Sequence, residues 1–585
     1  MKKESKRKHH KYVGHASHEQ VRKGLLIIGC ICFAVVLLRS ILSAFETPNA
    51  IQFRDVHTAG GLTFTLENSP TSEKHLPETM AGGVAAFDYD GDGLIDIFFT
   101  NGALMPSLQK SGPQYSNRLY RNMGGMQFRD VTAAAGLAGE GFSIGAAAAD
   151  FDNDGHTDLF VAGVNRNILY RNRGDGTFED VTARAGISSG EWSVGAAWLD
   201  YNNDGLLDLF VVNYVDWTPQ FDRFCGDAKA GIRVYCHPRL FKGTTNRLYR
   251  NLGGGRFADV SVESGLAKYT GKGMAVSVAD YDGDGFADLF VTNDKIPNFL
   301  FHNLGGRRFQ EVAFDSGVAL ADTGTEMSAM GTEFRDVDND GRPDIALTAL
   351  SGETFLLFHN RGNGLFADIS YRSGIGPLSR RYSGWGIGLF DFDNDGFKDV
   401  FTSNSHVNDR VEAFEATEYR QHNSVFRNVG GSRFDDESRR AGPAFLESVR
   451  AHRGAAFGDF NGDGRIDVVT SSLGEQPELW ENVSPTLNRW LILRLVGSGS
   501  NRDGIGAVIK IGAQTNHMTT AVGYASSSLS GVHFGLGTLK EVERIDIRWP
   551  SGIRQTLSNV KTNQVLEVRE SATVQGVPAR DARRR

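Results

Sequence analysis

The chain has 585 residues, 40% of them apolar, with 70 Gly and four Cys. That is enough apolar material for a large core broken by many tight turns, which excludes a fibrous or wholly disordered chain. The formal charge of −8 comes with dispersed Lys and Arg and with acids gathered in short loops, which excludes a nucleic-acid surface.

Residues 1–23 carry eight Lys or Arg against Glu4 and Glu19, and Gly24 to Leu38 is an unbroken apolar run that Ile41–Phe45 continues past Arg39. The span 24–45 is long enough for a bilayer core of ~30 Å if Arg39 snorkels to the interface. The basic flank predicts a cytoplasmic tail at 1–23 and a transmembrane signal-anchor at 24–45. A signal peptide cleaved to release a secreted protein is the alternative, and a buried core helix is a third option. Both membrane readings place the rest of the chain outside the cytoplasm, in a periplasmic or extracellular space. Cys30 and Cys32, inside the apolar run, act as small hydrophobes.

Residues 46–487 repeat one nine-residue phrase seven times: Asp, any, Asp or Asn, any, Asp, Gly, any, any, Asp. Its positions 1, 3, 5 and 9 are Asp88, Asp90, Asp92 and Asp96; Asp150, Asp152, Asp154 and Asp158; Asp200, Asn202, Asp204 and Asp208; Asp280, Asp282, Asp284 and Asp288; Asp336, Asp338, Asp340 and Asp344; Asp391, Asp393, Asp395 and Asp399; Asp459, Asn461, Asp463 and Asp467. Carboxylates at this density repel one another, and a plain turn does not need them. A hard dication does: Ca²⁺ takes six to eight oxygens at about 2.3–2.6 Å, and alternate positions of a tight loop converge on one point. Gly at position 6 permits the bend, and position 7 is chemically random, as expected where only a backbone carbonyl serves. Up to seven Ca²⁺ are therefore predicted, and they would turn the formal −8 into +6.

Each phrase is preceded by small and apolar residues (SIGAAAAD, SVGAAWLD) and followed by a β-rich run such as IDIFFT or LDLFVVN. Next come a Leu-Tyr-Arg-Asn-type phrase (119–125, 169–174, 248–254, 300–306, 358–362, 426–431) and a Phe-x-Asp-Val phrase from Phe128, Phe178, Phe257, Phe309, Phe366 and Phe434. Four short strands per unit, at a period of 50 to 80 residues, predict propeller blades, with the small-residue strand innermost. A Phe-x-Asp-Val phrase also stands at Phe53, ahead of the first unit, whereas the last unit stops after ELWEN at Glu478–Asn482. Borrowing the early strand would close a ring of seven blades and remove two open edges.

Two insertions interrupt the repeats, and both emerge opposite the Asp loops. They are Tyr214–Thr245, with Trp217, Arg223 and His237, and Ser405–Asn423, with His406, Glu412, Tyr419 and His422; links between units add Trp192, Glu326 and Trp385. Loops of this size are commonly functional, so this face is the candidate ligand region. Cys225 and Cys236, eleven positions apart in the first insertion, pair as a disulfide in an oxidising compartment, two free thiols being the alternative. His237 alone does not complete a zinc site.

Residues 488–570 alternate polar and apolar positions and read as a small antiparallel β-sandwich. In it Arg502 and Trp549 are either a carbohydrate-contacting surface or, the better-founded reading, structural. Residues 571–585 end in three Arg and read as a disordered basic tail.

The Asp loops and their flanks resemble the FG-GAP/VCBS repeats of integrin-α-like propellers. Residues 488–570 resemble the ASPIC/UnbV domain through NRDGIGA at 501–507, HFGLG at 533–537 and WPSG at 549–552. Together they follow the layout of the cartilage-acidic-protein (ASPIC/UnbV) family. The segment GYASSS at 523–528 departs from the Ser-Gln pair that the family tends to carry. The resemblance implies an all-β fold and extracellular Ca²⁺-dependent recognition or adhesion, with a protein or glycan as partner and no nucleic acid. No Gly-x-Ser-x-Gly, His-Glu-x-x-His, Cys-x-x-Cys or Walker phrase occurs in the sequence, so no catalytic residue is named. A hydrolase or lyase acting on an extracellular glycan or polymer, with the propeller as its platform, is the alternative.

Overall fold

The computed structural model describes residues 50–571 apart from Ser189 and Asp222. The basic tail at 1–23, the anchor expected at 24–45 and the tail beyond Ser571 lie outside the described residues. Among the described residues, no helix is long and apolar enough to cross a membrane.

The chain is all-β, and its repeats fold as seven antiparallel four-stranded meanders. The second sheet shows the pattern, with strands Phe142–Ala149, Asp158–Val164, Ile168–Asn172 and Phe178–Asp180. The Asp loop joins the first two strands, and Gly-rich turns end the third. The seventh sheet takes its fourth strand from the opposite end of the chain: Phe53–Asp55 pairs with Glu478–Asn482, Phe53 standing opposite Asn482.

The first strands of successive sheets touch one another in order, and that of the seventh touches that of the first. Small residues make this approach possible. A Cβ on Gly145 would lie 2.2 Å from the Val194 carbonyl oxygen, and one on Gly83 would lie 2.3 Å from that of Ala525. Between the sheets, the β-branched and aromatic runs interdigitate in buried clusters, as with Phe87, Phe98, Leu119, Leu159 and Tyr170. Each fully buried side chain of this size contributes about 1.5–3 kcal/mol.

The C-terminal region forms two layers. One sheet contains Val532–Gly537, Arg489–Val496 and Gln564–Arg569; the other contains Gln514–His517, Val508–Ile511, Glu541–Arg548 and Arg554–Lys561. The expectation of a wholly antiparallel domain is corrected here, since Arg489–Val496 and Gln564–Arg569 run parallel. The last strand follows a hairpin in the other layer, so it returns by a crossover, and a crossover permits parallel pairing. Leu491, Leu493, Ile509, Ile545 and Trp549 fill the space between the layers.

This region is more than an appendage. Its hairpin, Ala521–Val522 with Ser526–Leu529, leaves the two layers and pairs parallel with Val84–Phe87, Ser527 opposite Ala85. Its two strands together touch the first strand of every one of the seven sheets. Three consecutive serines satisfy backbone N–H groups from three different sheets: Val84 donates to Ser526 Oγ (3.2 Å), Ala148 to Ser527 Oγ (3.1 Å) and Phe457 to Ser528 Oγ (2.9 Å). Tyr524 donates its hydroxyl to the Met80 carbonyl (2.7 Å) and packs edge-on against Trp385. The segment that departs from its family pattern is thus the one that fills the axis.

Candidate metal centres

Each Asp loop is shaped by its own backbone. Asp150 at position 1 accepts N–H bonds from Asp154 (3.0 Å) and Gly155 (2.7 Å), and Asp154 accepts from His156 (3.0 Å). Position 4 requires positive φ as well as position 6, and it is filled only by Gly or Asn: Gly91, Asn153, Asn203, Gly283, Asn339, Asn394 and Gly462 all have φ between 56° and 79°. Gly or Asn at position 4 is thus a second turn signal legible in the sequence, beside the Gly at position 6.

Position 9 ties the loop to the rest of its sheet. Asp96, Asp158, Asp208, Asp288, Asp344, Asp399 and Asp467 are fully buried. Each accepts the backbone N–H of the third-strand Asn at 2.7–2.8 Å, as Asn172 donates to Asp158. Each also accepts the N–H of position 2, as Phe151 does for Asp158 (3.1 Å).

The residue before that Asn faces the acids. Arg121 reaches Asp90 (2.7 Å) and Asp92 (3.0 Å), Arg171 reaches Asp152 and Asp154 (both 2.5 Å), and Arg427 reaches Asp393 (2.7 Å) and Asp395 (2.8 Å). In the fourth and fifth sheets the same place holds His302 and His359.

In the first, second and fourth loops, positions 1, 3 and 9 bring ligand oxygens within 4.8 Å of one another. Burial pushes these carboxyls up, Asp96 to about 8 and Asp150 and Asp288 to about 7. A buried carboxylate wants a cation, because desolvation penalises its charge. Asp90, Asp152 and Asp280 each also keep a buried carboxylate oxygen with no hydrogen-bond partner. The acidic clusters therefore fit a divalent cation held by oxygen.

The C-terminal region lies over these loops. Arg494 donates to the Gly93 carbonyl (2.7 Å), Arg502 N–H to Asn153 Oδ1 (2.7 Å), Asp150 N–H to Asp503 (2.8 Å), and Asn488 to the Asp393 carbonyl (2.9 Å). Arg548 pairs with Asp280. Trp549 is buried and donates to Gln555 (3.1 Å), so it serves the core of the domain, and Arg502 contributes its backbone N–H to the contact with the second loop.

The opposite end carries the insertions, and there several candidate ligand residues belong to the core. Trp192, Trp217 and Trp385 are buried; Trp192 packs edge-on against Tyr214 (5.2 Å) and Trp217 (6.0 Å). The apolar bodies of these rings clamp the insertions onto the sheets and leave nothing for a ligand. Cys225 and Cys236 form a disulfide in the same insertion. His406 is buried and accepts the Asn408 N–H (3.0 Å), and Glu412 accepts the Tyr419 N–H (2.8 Å).

His422 is placed differently. It borders an open cleft of about 830 Å³ between the second insertion and the link from the fifth to the sixth sheet, with Arg381, Tyr382, Gln421 and Asp436. Arg381 stacks on Tyr382 (4.7 Å) and pairs with Asp436 (2.9 Å); the Tyr382 hydroxyl lies 3.4 Å from His422 Nε2. Arg381 and Tyr382 stand in the same link as Trp385, where no sequence pattern sets them apart.

Comparison with known proteins agrees with this geometry. Residues 497–575 match the ASPIC and UnbV family, and residues 88–161, 150–211, 240–291 and 336–402 match the FG-GAP-like repeat. The chain is 28% identical to cartilage acidic protein 1 of Homo sapiens over 321 residues, 53% of this chain and 46% of that protein. It is 27% identical to the Xenopus tropicalis protein of the same name over 323 residues, 53% of this chain and 47% of that one. Integrin alpha-4 of Xenopus laevis is 29% identical over 162 residues, 23% of this chain and 15% of that protein. The chain spans about half the length of the cartilage acidic proteins it matches.

Proposed function

We propose that this chain, in which FG-GAP-like repeats are followed by an ASPIC and UnbV domain, is an extracytoplasmic seven-bladed propeller that binds Ca²⁺ in its Asp loops and recognises a protein or glycan at the opposite end. The apolar segment 24–45 would anchor it as an uncleaved signal-anchor. The oxygen-only donor sets of the loops favour Ca²⁺, which would neutralise the carboxylates where the C-terminal region meets them.

One observation carries the choice of binding face: the hairpin 521–529 fills the axis and its parent domain lies over the Asp loops, which leaves the insertion end and its cleft open. Arg381 lies over the ring of the buried Tyr382 and leaves its half-exposed guanidinium at the cleft, a group that suits an aromatic side chain or the oxygens of a glycan. Glycan arrays and pull-downs with the full chain, with and without EDTA, test the reading. Arg381→Ala should abolish retention of the partner, and Tyr382→Phe, which keeps the buried ring and removes the hydroxyl beside His422, should weaken it, while the Ca²⁺ content stays unchanged. Undiminished binding in both variants would move the site elsewhere.

A second reading rests on the Tyr382–His422 pair, which could move a proton on a bound glycan. Turnover of a polysaccharide that is lost in His422→Ala would assign an enzyme instead of a receptor.

A further inference from the structure

The residue that precedes the third-strand Asn is Arg121, Arg171, Arg250, His302, His359, Arg427 and Glu481 in the seven sheets. A guanidinium over an acidic loop can only act as a counter-charge, because it has no lone pair to give. An imidazole can be a ligand. We infer that the fourth and fifth loops, through His302 and His359, form two sites for a borderline divalent transition ion, Zn²⁺ foremost, unlike the oxygen-only loops beside them. This rests on reading the loops as cation sites.

The geometry is that of a ligand shell. His302 Nδ1 lies 3.2 Å from Asp288 Oδ1 and 3.6 Å from Asp282 Oδ2, and the fifth loop repeats this with His359 Nδ1 3.1 Å from Asp344 and 3.4 Å from Asp338. At Zn–N and Zn–O distances of about 2.0–2.2 Å, neighbouring ligands stand about 2.9 Å apart in an octahedron and about 3.5 Å apart in a tetrahedron. The observed separations, 3.1–3.6 Å, lie toward the tetrahedral end of that range. His302 also converges with Asp282 and Asp284, and His359 with Asp338 and Asp344.

The fourth loop, like the first and second, also keeps a buried carboxylate oxygen with no hydrogen-bond partner, which favours a cation there. Asp280 is 7% exposed and gives one oxygen to Arg548, yet its Oδ1 has no hydrogen-bond partner and the residue converges with Asp282 and Asp288. Imidazole with carboxylate suits Zn²⁺, whereas oxygen-only sets suit Ca²⁺. The imidazole, not the acid count, is what separates these two loops from the first, second, third and sixth, where the same place holds Arg.

The test is metal analysis of the full chain after exposure to Zn²⁺ in millimolar Ca²⁺ and desalting, repeated with Co²⁺ to read the visible absorption of the bound ion. The variants are His302→Arg and His359→Arg, each of which installs the residue that the first, second and sixth sheets already carry. The parent should retain two Zn²⁺, each single variant one and the double variant none, with Ca²⁺ elsewhere unchanged and the Co²⁺ absorption lost in step. Zn²⁺ that is displaced by Ca²⁺, or retained in full by the double variant, would overturn the inference. If Ca²⁺ is also absent from every preparation, the cation reading of all seven loops falls with it.

Discussion

Asn122 donates its side-chain amide to the carbonyl of Phe460 at 2.9 Å, across 338 residues of chain, and to the Ile95 carbonyl of its own sheet at 3.0 Å. The same bond joins every other pair of neighbours: Asn172 to Tyr89, Asn251 to Phe151, Asn303 to Tyr201, Asn360 to Tyr281, Asn428 to Val337 and Asn482 to Phe392, all at 2.8–2.9 Å. The Asn of the Leu-Tyr-Arg-Asn phrase is thus a staple between sheets, and its seven bonds form a closed series.

Asn122→Ala leaves the Ile95 and Phe460 carbonyls without that donor in a buried setting and should cost about 1–3 kcal/mol. Urea unfolding with Ca²⁺ present measures it. A variant within ~0.5 kcal/mol of the parent, the range of surface changes, would mean that the bond holds nothing.

Deleting Ile51–Leu62 removes the strand that pairs with Glu478–Asn482, together with Phe53, which stacks on Phe445 and meets Phe392 edge-on. Loss of this one aromatic side chain alone costs about 3–5 kcal/mol, and the bare edge invites association. Light scattering and thermal melting should show an aggregating, less stable chain; a soluble chain of parental stability would refute this role.

At the axis, Tyr524→Phe removes a single hydrogen bond to Met80 and should cost about 0.5–1.5 kcal/mol. Tyr524→Ala also opens a cavity against Trp385 and should cost about 3–5 kcal/mol. If the two variants lose equally little, the hairpin is not a packed part of the fold.

The first insertion divides into clamp and tip. Trp217 is buried whereas Gly226–Arg233 is largely exposed. Replacing the whole of Tyr214–Thr245 should therefore unfold the third sheet, whereas replacing residues 226–233 with a Gly-Asn turn should leave the melting temperature within a few degrees. Equal melting temperatures for the two replacements would show that the buried aromatics do not matter.

Acid should loosen the contact between the C-terminal region and the sheets. His517 lies within 3.1 Å of Arg335 and 3.0 Å of the Val278 carbonyl, and burial holds its pKa well below 6.5; burial also lowers His533, beside the Gly464 carbonyl, to about 4. Both pKa values are depressed relative to the unfolded chain. Their contribution is therefore complete above about pH 6.5 and is lost as the pH falls through that value toward 4. Asp503, raised to about 6 by burial, works in the opposite sense. In saturating Ca²⁺, melting curves from pH 7 to 4.5 should fall less steeply for His517→Asn with His533→Asn than for the parent. Parallel curves would exclude these imidazoles.

The local units are written in the order of residues along the chain. The Asp phrases dictate where first strands end and second strands begin, Gly or Asn at position 4 with Gly at position 6 dictates the bend, and the Phe-x-Asp-Val phrases start the outer strands at Phe128, Phe178 and Phe257. These are properties of neighbours in the chain, set by backbone sterics and side-chain period, and the displaced phrase at Phe53 carried the same information to the far end. What meets across hundreds of residues is set by packing in three dimensions. Trp192, Trp217 and Trp385 are core rather than ligand surface, Arg381 and Tyr382 line the cleft, and Ser526–Ser528 supply acceptors to three sheets. The reason is physical: an indole or a serine hydroxyl suits a buried seat as well as an exposed one, and which it takes depends on partners that sequence spacing does not bring together.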